Sequence, residues 1–388
     1  MKVLVIGGMG VIGGAITKAA ASKGYDVYVL SRRNLSNEWI SLGVNGISGN
    51  WLDDEFASKV VSGGYDVIVD TLVFDEKRLI KSMKMVDGHC KQYVYISTDS
   101  VYPHPAERLS EDNPISIKEI HWDYGIKKRQ AELTLAKYGE GCGFEWTCIR
   151  PTITFGNSRI PVGFASKRGT YTLAQRIIDG RPIVRFDDSS TRHAVCHTSI
   201  FGEAVVGLFL SENSFGQSYH ISDDYAYTYD EIFGAMEEIL QSKGIYVNVP
   251  VSKVKRYSKA LYEEMIYDKN PNFTLDNSKI KTVVPNLSYH VDIKKVMVST
   301  LSELKKSSLV DEEYNYITDN LILEQALKID NPKLSRQVNV YLDSLPCKYR
   351  DTLMRFRRKR QILNWLTPLR KCKRTLKNVL RPIRDAVK

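Results

Sequence analysis

A tyrosine four residues before a lysine, Tyr124 and Lys128 in the run YGIKK, would share one face of a helix. A neighbouring ammonium favours the phenolate and draws a phenol whose pKa is ordinarily about 10 toward neutrality. A phenol tuned in this way can give or take a proton at a reacting oxygen. Thr98, in YISTDSVY at the end of an apolar run, carries a hydroxyl able to bond and orient that same oxygen. Near the start of the chain, IGGMGVIGG sets Gly7, Gly10 and Gly13 at GxxGxxG spacing. Glycines between a strand and a helix permit a tight turn, let a pyrophosphate approach backbone N–H groups, and offer it the positive end of the helix.

The end of the second strand bears on which dinucleotide is held. A free ribose 2′-hydroxyl usually meets a carboxylate roughly 20 residues past the glycines. Here VYVL runs into Ser31, Arg32 and Arg33 with no acid in reach. Two guanidinium groups and a hydroxyl suit a 2′-phosphate, so NADP(H) is favoured over NAD(H). His193 and His197 are four apart in what reads as a strand, too distant to share an ion, and no metal site is expected.

These residues need a scaffold, and the first 150 residues supply the pattern of one. Short runs rich in Val, Ile and Tyr predict strands over 2–6, 26–30, 67–70, 92–97 and 146–150, with helices over 12–22, 54–62 and 123–138 between them. A strand and helix over 194–210 and a strand over 218–222 return the chain to the same sheet. The expected fold class is α/β: a Rossmann-type doubly wound parallel sheet, a smaller C-terminal substrate lobe and a helical basic tail. The expected division is a dinucleotide-binding domain over 1–155 rejoined by 190–225, a substrate-binding lobe over 156–306, and a helical extension over 307–388 that is basic and amphipathic after 347.

In this order and spacing the motifs resemble the extended short-chain dehydrogenases and reductases, the NAD-dependent epimerase/dehydratase family, over about residues 1–300. Besides the glycine loop, the Ser/Thr before VY and the YxxxK pair, IRPTITFG at 149–156 is similar to the family's RPxxxYG segment beside the nicotinamide. The resemblance implies a catalytic Thr98, Tyr124 and Lys128, with Lys128 also holding the nicotinamide ribose. It implies cofactor contacts at Gly7, Gly10, Val11, Ile12, Gly13, Ser31, Arg32, Arg33, Asn50, Trp51, Thr71, Leu72 and Pro151. It implies substrate contacts at Asp99, Ser100, Asn157 and Arg192, the last to a pyrophosphate, because most members act on nucleotide-linked sugars. The chain departs from the family's pattern at Asn50, at Ser199 and at Asp70 to Leu72. Ser100 stands where sugar dehydratases have a glutamate base, which disfavours dehydration. The implied activity is keto-sugar reduction or C4 epimerisation in glycan biosynthesis, by a homodimer. The competing reading is a dinucleotide-binding protein with a silent redox site and an RNA- or partner-binding tail.

Composition narrows the partners. Of 55 Lys and Arg residues, 15 fall in 348–388 against only Asp351 and Asp385, so the rest of the chain has 40 basic and 43 acidic residues. The surplus of +10 therefore belongs to the tail, and the body has no basic nucleic-acid surface. In the tail, Ile362, Trp365, Leu366, Leu369, Leu376 and Leu380 recur at three- and four-residue steps among arginines and lysines, a pattern suited to an anionic membrane surface or to packing on the body. Six cysteines show no metal spacing, and MKVLVIGG enters a strand at its second residue without space for a cleavable leader. The expected location is cytoplasmic, peripheral to the inner membrane face if the tail docks there, with nucleic acid an unlikely partner.

Overall fold

Seven parallel strands form the central sheet: β1 (Lys2–Ile6), β2 (Asp26–Ser31), β3 (Asn45–Ser48), β4 (Tyr65–Asp70), β5 (Cys90–Ile96), β6 (Glu145–Pro151) and β7 (Gln217–Ile221). Their order across the sheet is β7-β6-β5-β4-β1-β2-β3. The computed structural model describes residues 1–186, 190–326 and 328–345. The expected amphipathic tail after 347 lies outside the described residues.

The sheet forms because its inner strands have apolar side chains on both faces, and each face is covered by helices. Val3, Val5, Val27, Val29, Val67 and Val69 point one way, into a core shared with α1 (Val11–Ser22) and with Ile200, Phe201 and Val205. Leu4, Ile6, Leu30, Ile68, Tyr93 and Tyr95 point the other way. They meet α2 (Asp54–Val61), α3 (Glu76–Val86) and α4 (Asp123–Tyr138) through Ala57, Val61, Leu79, Met83, Ala131 and Leu135. Fully burying one such side chain contributes about 1.5–3 kcal/mol, so the alternation fixes the register of the whole sheet.

The predicted strands and helices of the first 150 residues are present, with β5 ending at Ile96 rather than at 97. The elements not predicted include the helical turn Asn37–Ser41, the short strand Ala106–Leu109, β3 and α3. β3 has the sequence NGIS and is largely exposed at the sheet edge, so no apolar run marks it. α3 does carry a helical stripe, with Leu79, Met83 and Val86 buried, but it is set among lysines and an arginine.

The order of strands reverses between β1 and β4, which opens a crevice at their C-terminal ends. Above it sits the smaller lobe, with three short sheets, one of them joining Phe273–Leu275 to Ala106–Leu109. Its core runs from Phe155 and Phe164 through α5 (Tyr229–Leu240) and α6 (Ile293–Lys305) to α7 (Glu312–Ala326) and α8 (Pro332–Ser344). Among the described residues no helix is long and apolar enough to cross a membrane.

Candidate active site

The chain turns out of β1 at Gly7, whose φ of +77° is open to glycine and strained for other residues. A Cβ on Gly13 would lie 2.4 Å from the Gly7 carbonyl oxygen, so the first turn of α1 closes onto the loop only without one. Gly10 caps α1 with no side chain, leaving the helix's first N–H groups free for a phosphate. Two cavities meet at this loop. One, of about 660 Å³, is lined by Gly7, Gly10, Ser31, Arg32, Arg33, Asn50, Trp51 and Leu72. The other, of about 400 Å³, is lined by Gly7, Gly10, Val11, Ile12, Gly13, Thr71, Leu72, Thr98, Asp99, Ser100, Tyr124, Lys128 and Pro151. The shared loop makes them one continuous path, which fits a dinucleotide laid across the strand ends.

The first cavity has no carboxylate on its walls. Arg32 and Arg33 are exposed, and the Ser31 hydroxyl accepts the N–H of Arg33 at 3.1 Å. The Asn50 side chain instead accepts the N–H of Leu52, and the buried Trp51 indole lies under the Arg78 guanidinium. Thr71 donates to the Ile6 carbonyl at 2.8 Å, stitching the tip of β4 to that of β1.

In the second cavity Thr98 follows β5, and its Oγ1 accepts the Ser100 N–H at 3.2 Å and lies 3.0 Å from the Ser100 hydroxyl. Tyr124 stands in the first turn of α4, and Lys128 one turn on. The Lys128 ammonium is buried and donates to the carbonyls of Val73 at 2.5 Å and Ile96 at 2.8 Å, which leaves one of its three protons for a ligand. It lies 5.9 Å from the centre of the Tyr124 ring. Burial pushes Lys128 down to about 8.

The Tyr124 phenol does not move toward neutrality as its spacing from Lys128 predicted. Burial pushes it up to about 12, and the groups pulling against burial are the Lys269 cation and the Thr98 hydroxyl. Desolvation disfavours the phenolate more than the nearby cations favour it. Beside it the buried Asp99 carboxyl is pushed up to about 7 by burial and by the Asp268 carboxylate.

Two expected substrate contacts lie elsewhere. Arg192 is exposed and donates to the Ala226 carbonyl at 2.7 Å, with Glu231 3.8 Å away and the Tyr225 ring beneath it. It does not line the cavity; its two-residue strand pairs with Tyr227 and Thr228 and its side chain turns toward Tyr225 and Ala226. Asn157, at φ +52°, faces a separate surface groove with Lys18, His197 and Ser199. Beyond Asp99 and Lys128, Arg159, Arg168, Glu264 and Lys269 bring charge to the cavity. Arg159 and Arg168 have no ion-pair partner among the described residues, and each repels the other's charge. Arg159 stands three residues past the RPTITFG segment, a position its motif could have flagged; nothing in the sequence singles out Lys269.

The sequence profile of the NAD-dependent epimerase/dehydratase family matches residues 3–214, more than half of the chain. The chain belongs to that family. Its fold is that of the extended short-chain dehydrogenases and reductases, and it is an enzyme of their NAD(P)-dependent type. Pal from Bacillus thuringiensis is 17% identical, with a TM-score of 0.62 over 79% of this chain and 99% of that one. UDP-glucuronic acid 4-epimerase from Bacillus cereus, solved with UDP-glucuronic acid and NAD, is 17% identical, with a TM-score of 0.60 over the same shares. Epimerase Mth375 from Methanothermobacter thermautotrophicus is 16% identical, with a TM-score of 0.59 over 81% of this chain and 94% of that one. Among curated protein sequences nothing matches.

Proposed function

We propose that this chain is an NADP(H)-dependent oxidoreductase or epimerase acting on a nucleotide-linked sugar, by keto-sugar reduction or C4 epimerisation, in glycan assembly. One observation carries the reading: the glycine loop, Thr98, Tyr124 and Lys128 line a single cavity whose other charged wall holds Arg159, Arg168 and Lys269. The first wall fits a nicotinamide dinucleotide, and two unpaired guanidinium groups fit the anionic part of a nucleotide sugar. Similar proteins have been solved with UDP-glucuronic acid or UDP-glucose together with NAD. Unlike a site built for a ribose hydroxyl, the adenosine end here offers Ser31, Arg32 and Arg33, which supports NADP(H).

A nicotinamide bound there would supply the hydride donor or acceptor. The chain's own residues do the rest. Lys128 has one N–H left that would hydrogen-bond the ribose hydroxyls, and Thr98 orients the substrate oxygen. In oxidation Tyr124 receives the hydroxyl proton, and in reduction it returns one to the carbonyl oxygen. With its phenol pushed up to about 12, Tyr124 is protonated at neutral pH and poised as the acid, so the oxidative direction gains rate as pH rises.

The test is Tyr124→Phe assayed on a panel of nucleotide sugars. Turnover should fall by about 10²–10⁴-fold with NADPH binding unchanged. Equal turnover by the two proteins removes Tyr124 from the chemistry.

A further inference from the structure

The Thr98 hydroxyl is tied to the other lobe. Thr98 caps the single turn Asp99–Val101, and its Oγ1 accepts the Ser100 N–H at 3.2 Å. That turn brings the Ser100 side chain back, so that its Oγ lies 3.0 Å from Thr98 Oγ1. Ser100 Oγ also lies 2.9 Å from Oδ1 of the buried Asp268, in the π turn Met265–Lys269 of the smaller lobe. Such turns give up regular hydrogen bonding and are frequent at functional sites. This one is fastened to its own lobe by the Tyr229 hydroxyl, which donates to the Lys269 carbonyl at 2.5 Å. A chain of contacts thus runs from Thr98 Oγ1 through the Ser100 hydroxyl to Asp268.

Counting protons gives this chain a direction. A hydroxyl has one proton to donate, and an ionised carboxylate has none. Lys269 Nζ lies 2.5 Å from Asp268 Oδ2, as an ion pair and not an aligned hydrogen bond. Burial opposes the charge on Asp268, but the Lys269 cation outweighs burial and the carboxyl stays below the usual carboxylate range. Ser100 therefore donates to Asp268, and its oxygen is left to accept the Thr98 proton. The Asp99 carboxyl, also within reach of Thr98 Oγ1, is farther away at 3.3 Å. His104 brings Asp268 no competing donor. Its Nδ1–H goes to the Tyr102 carbonyl at 3.0 Å, and its Nε2 is 3.7 Å from Asp268 Oδ1, beyond hydrogen-bonding reach. With its proton and one lone pair taken, Thr98 keeps a single lone pair for a ligand.

A buried ion pair is a poor stabilising device, since desolvating two charges offsets their attraction. The position of this pair gives it a task. We propose that Asp268 is a positioning residue: acting through Ser100, it fixes the Thr98 hydroxyl at the cavity wall. Ser100, which the family resemblance placed against the substrate, then commits its proton to this link. The proposal rests on Thr98 orienting the substrate oxygen as described above, and it leaves Tyr124 and Lys128 in the roles given there. Because Asp268 and Thr98 belong to different lobes, the placement of the hydroxyl depends on how the lobes are joined.

The experiment labels the threonine methyl carbons of the full chain and reads by NMR, without ligand, the vicinal couplings that report the Thr98 χ1 angle. The Thr98 resonance is the one missing from Thr98→Ser. In wild type the couplings should be those of a single rotamer. In Ser100→Ala they should average over several. The paired change Asp268→Leu with Lys269→Met removes the carboxylate without leaving its cation unpaired, and it should free the Thr98 side chain in the same way. Ser100→Thr, which keeps the hydroxyl, should retain the single rotamer. Turnover on the nucleotide-sugar panel is the second readout. Ser100→Ala, and Asp268→Asn, whose amide no longer obliges Ser100 to donate, should each lower kcat by about ten- to a hundredfold with KM and NADPH binding near wild type. The double variant should be no slower than Ser100→Ala, because both changes break one link. Couplings that stay at a single rotamer in Ser100→Ala or in the paired variant, or losses of turnover that multiply in the double variant, overturn the assignment. Since the couplings are read without substrate, their result is separable from that of the turnover panel.

Discussion

Whether a guanidinium at a strand end reads a phosphate or faces water is decided by what it contributes to discrimination between two cofactors. Arg32 and Arg33 line the cavity proposed for the adenosine end, with no carboxylate on its walls. A hydrogen bond to a charged group contributes about 1.5–3 kcal/mol, roughly a ten- to hundredfold change in affinity. The pair Arg32→Ala and Arg33→Ala, measured by fluorescence titration, should weaken NADPH binding by that factor and leave NADH binding unchanged. An equal loss for both cofactors would mean the arginines support the loop and not the 2′-phosphate. At this scale the sequence was legible where residues of one motif set meet on one cavity wall, as Thr98, Tyr124 and Lys128 do. It was not legible where burial competes with charge, because the desolvation that pushes Tyr124 up depends on residues that only folding brings together. For the same reason neither Lys269's place in the cavity nor Arg192's place outside it could be read: one sits in a turn without a motif, the other on a two-residue strand that no local pattern reveals.

At the scale of elements, the catalytic geometry depends on how closely α4 approaches the turn after β5. Gly125 is the contact point, and a Cβ there would lie 2.2 Å from the Ser100 carbonyl oxygen. Helix propensity alone says that Gly125→Ala should stabilise the protein by about 1 kcal/mol. The backbone contact says the opposite, because overpacking against an oxygen that cannot yield costs about 1–3 kcal/mol and moves the helix. Tyr124 is the preceding residue, and a displacement of about 1 Å at a reacting group can cost roughly a hundredfold in rate. Gly125→Ala should therefore lower the melting temperature and lower turnover on whichever nucleotide sugar wild type accepts. A rise in melting temperature would show that the helix is not held at that distance. The strands that flank this contact could be read because parallel strands buried on both faces are continuous apolar runs. The edge strand β3, exposed and containing Gly46, has no such run to read.

For the whole molecule, the cavity needs a second lobe over the sheet, and that lobe is held together internally by charge as well as by apolar packing. Arg176 is fully buried and donates to Asp319 at 2.8 Å, to Asn315 at 2.9 Å and to the Pro182 carbonyl. Asp319 also accepts the Tyr341 hydroxyl at 2.9 Å, so α7 and α8 close on the lobe through one carboxylate. These helices fall in the stretch whose polar composition suggested an extension, yet Tyr314, Ile317, Leu321, Val338 and Leu342 share the lobe's core. Composition hides this because a helix with a few buried charges reads as solvated until its partner is known. Removing one member of a buried pair leaves the other uncompensated, at a cost of about 3–5 kcal/mol, whereas replacing both with apolar residues of similar size is often close to neutral. Asp319→Ala should therefore destabilise the chain strongly in urea unfolding, and the double change Arg176→Met with Asp319→Leu should recover most of that loss. Should the double variant unfold as readily as the single one, the carboxylate acts through Tyr341 and α8 and not by neutralising Arg176.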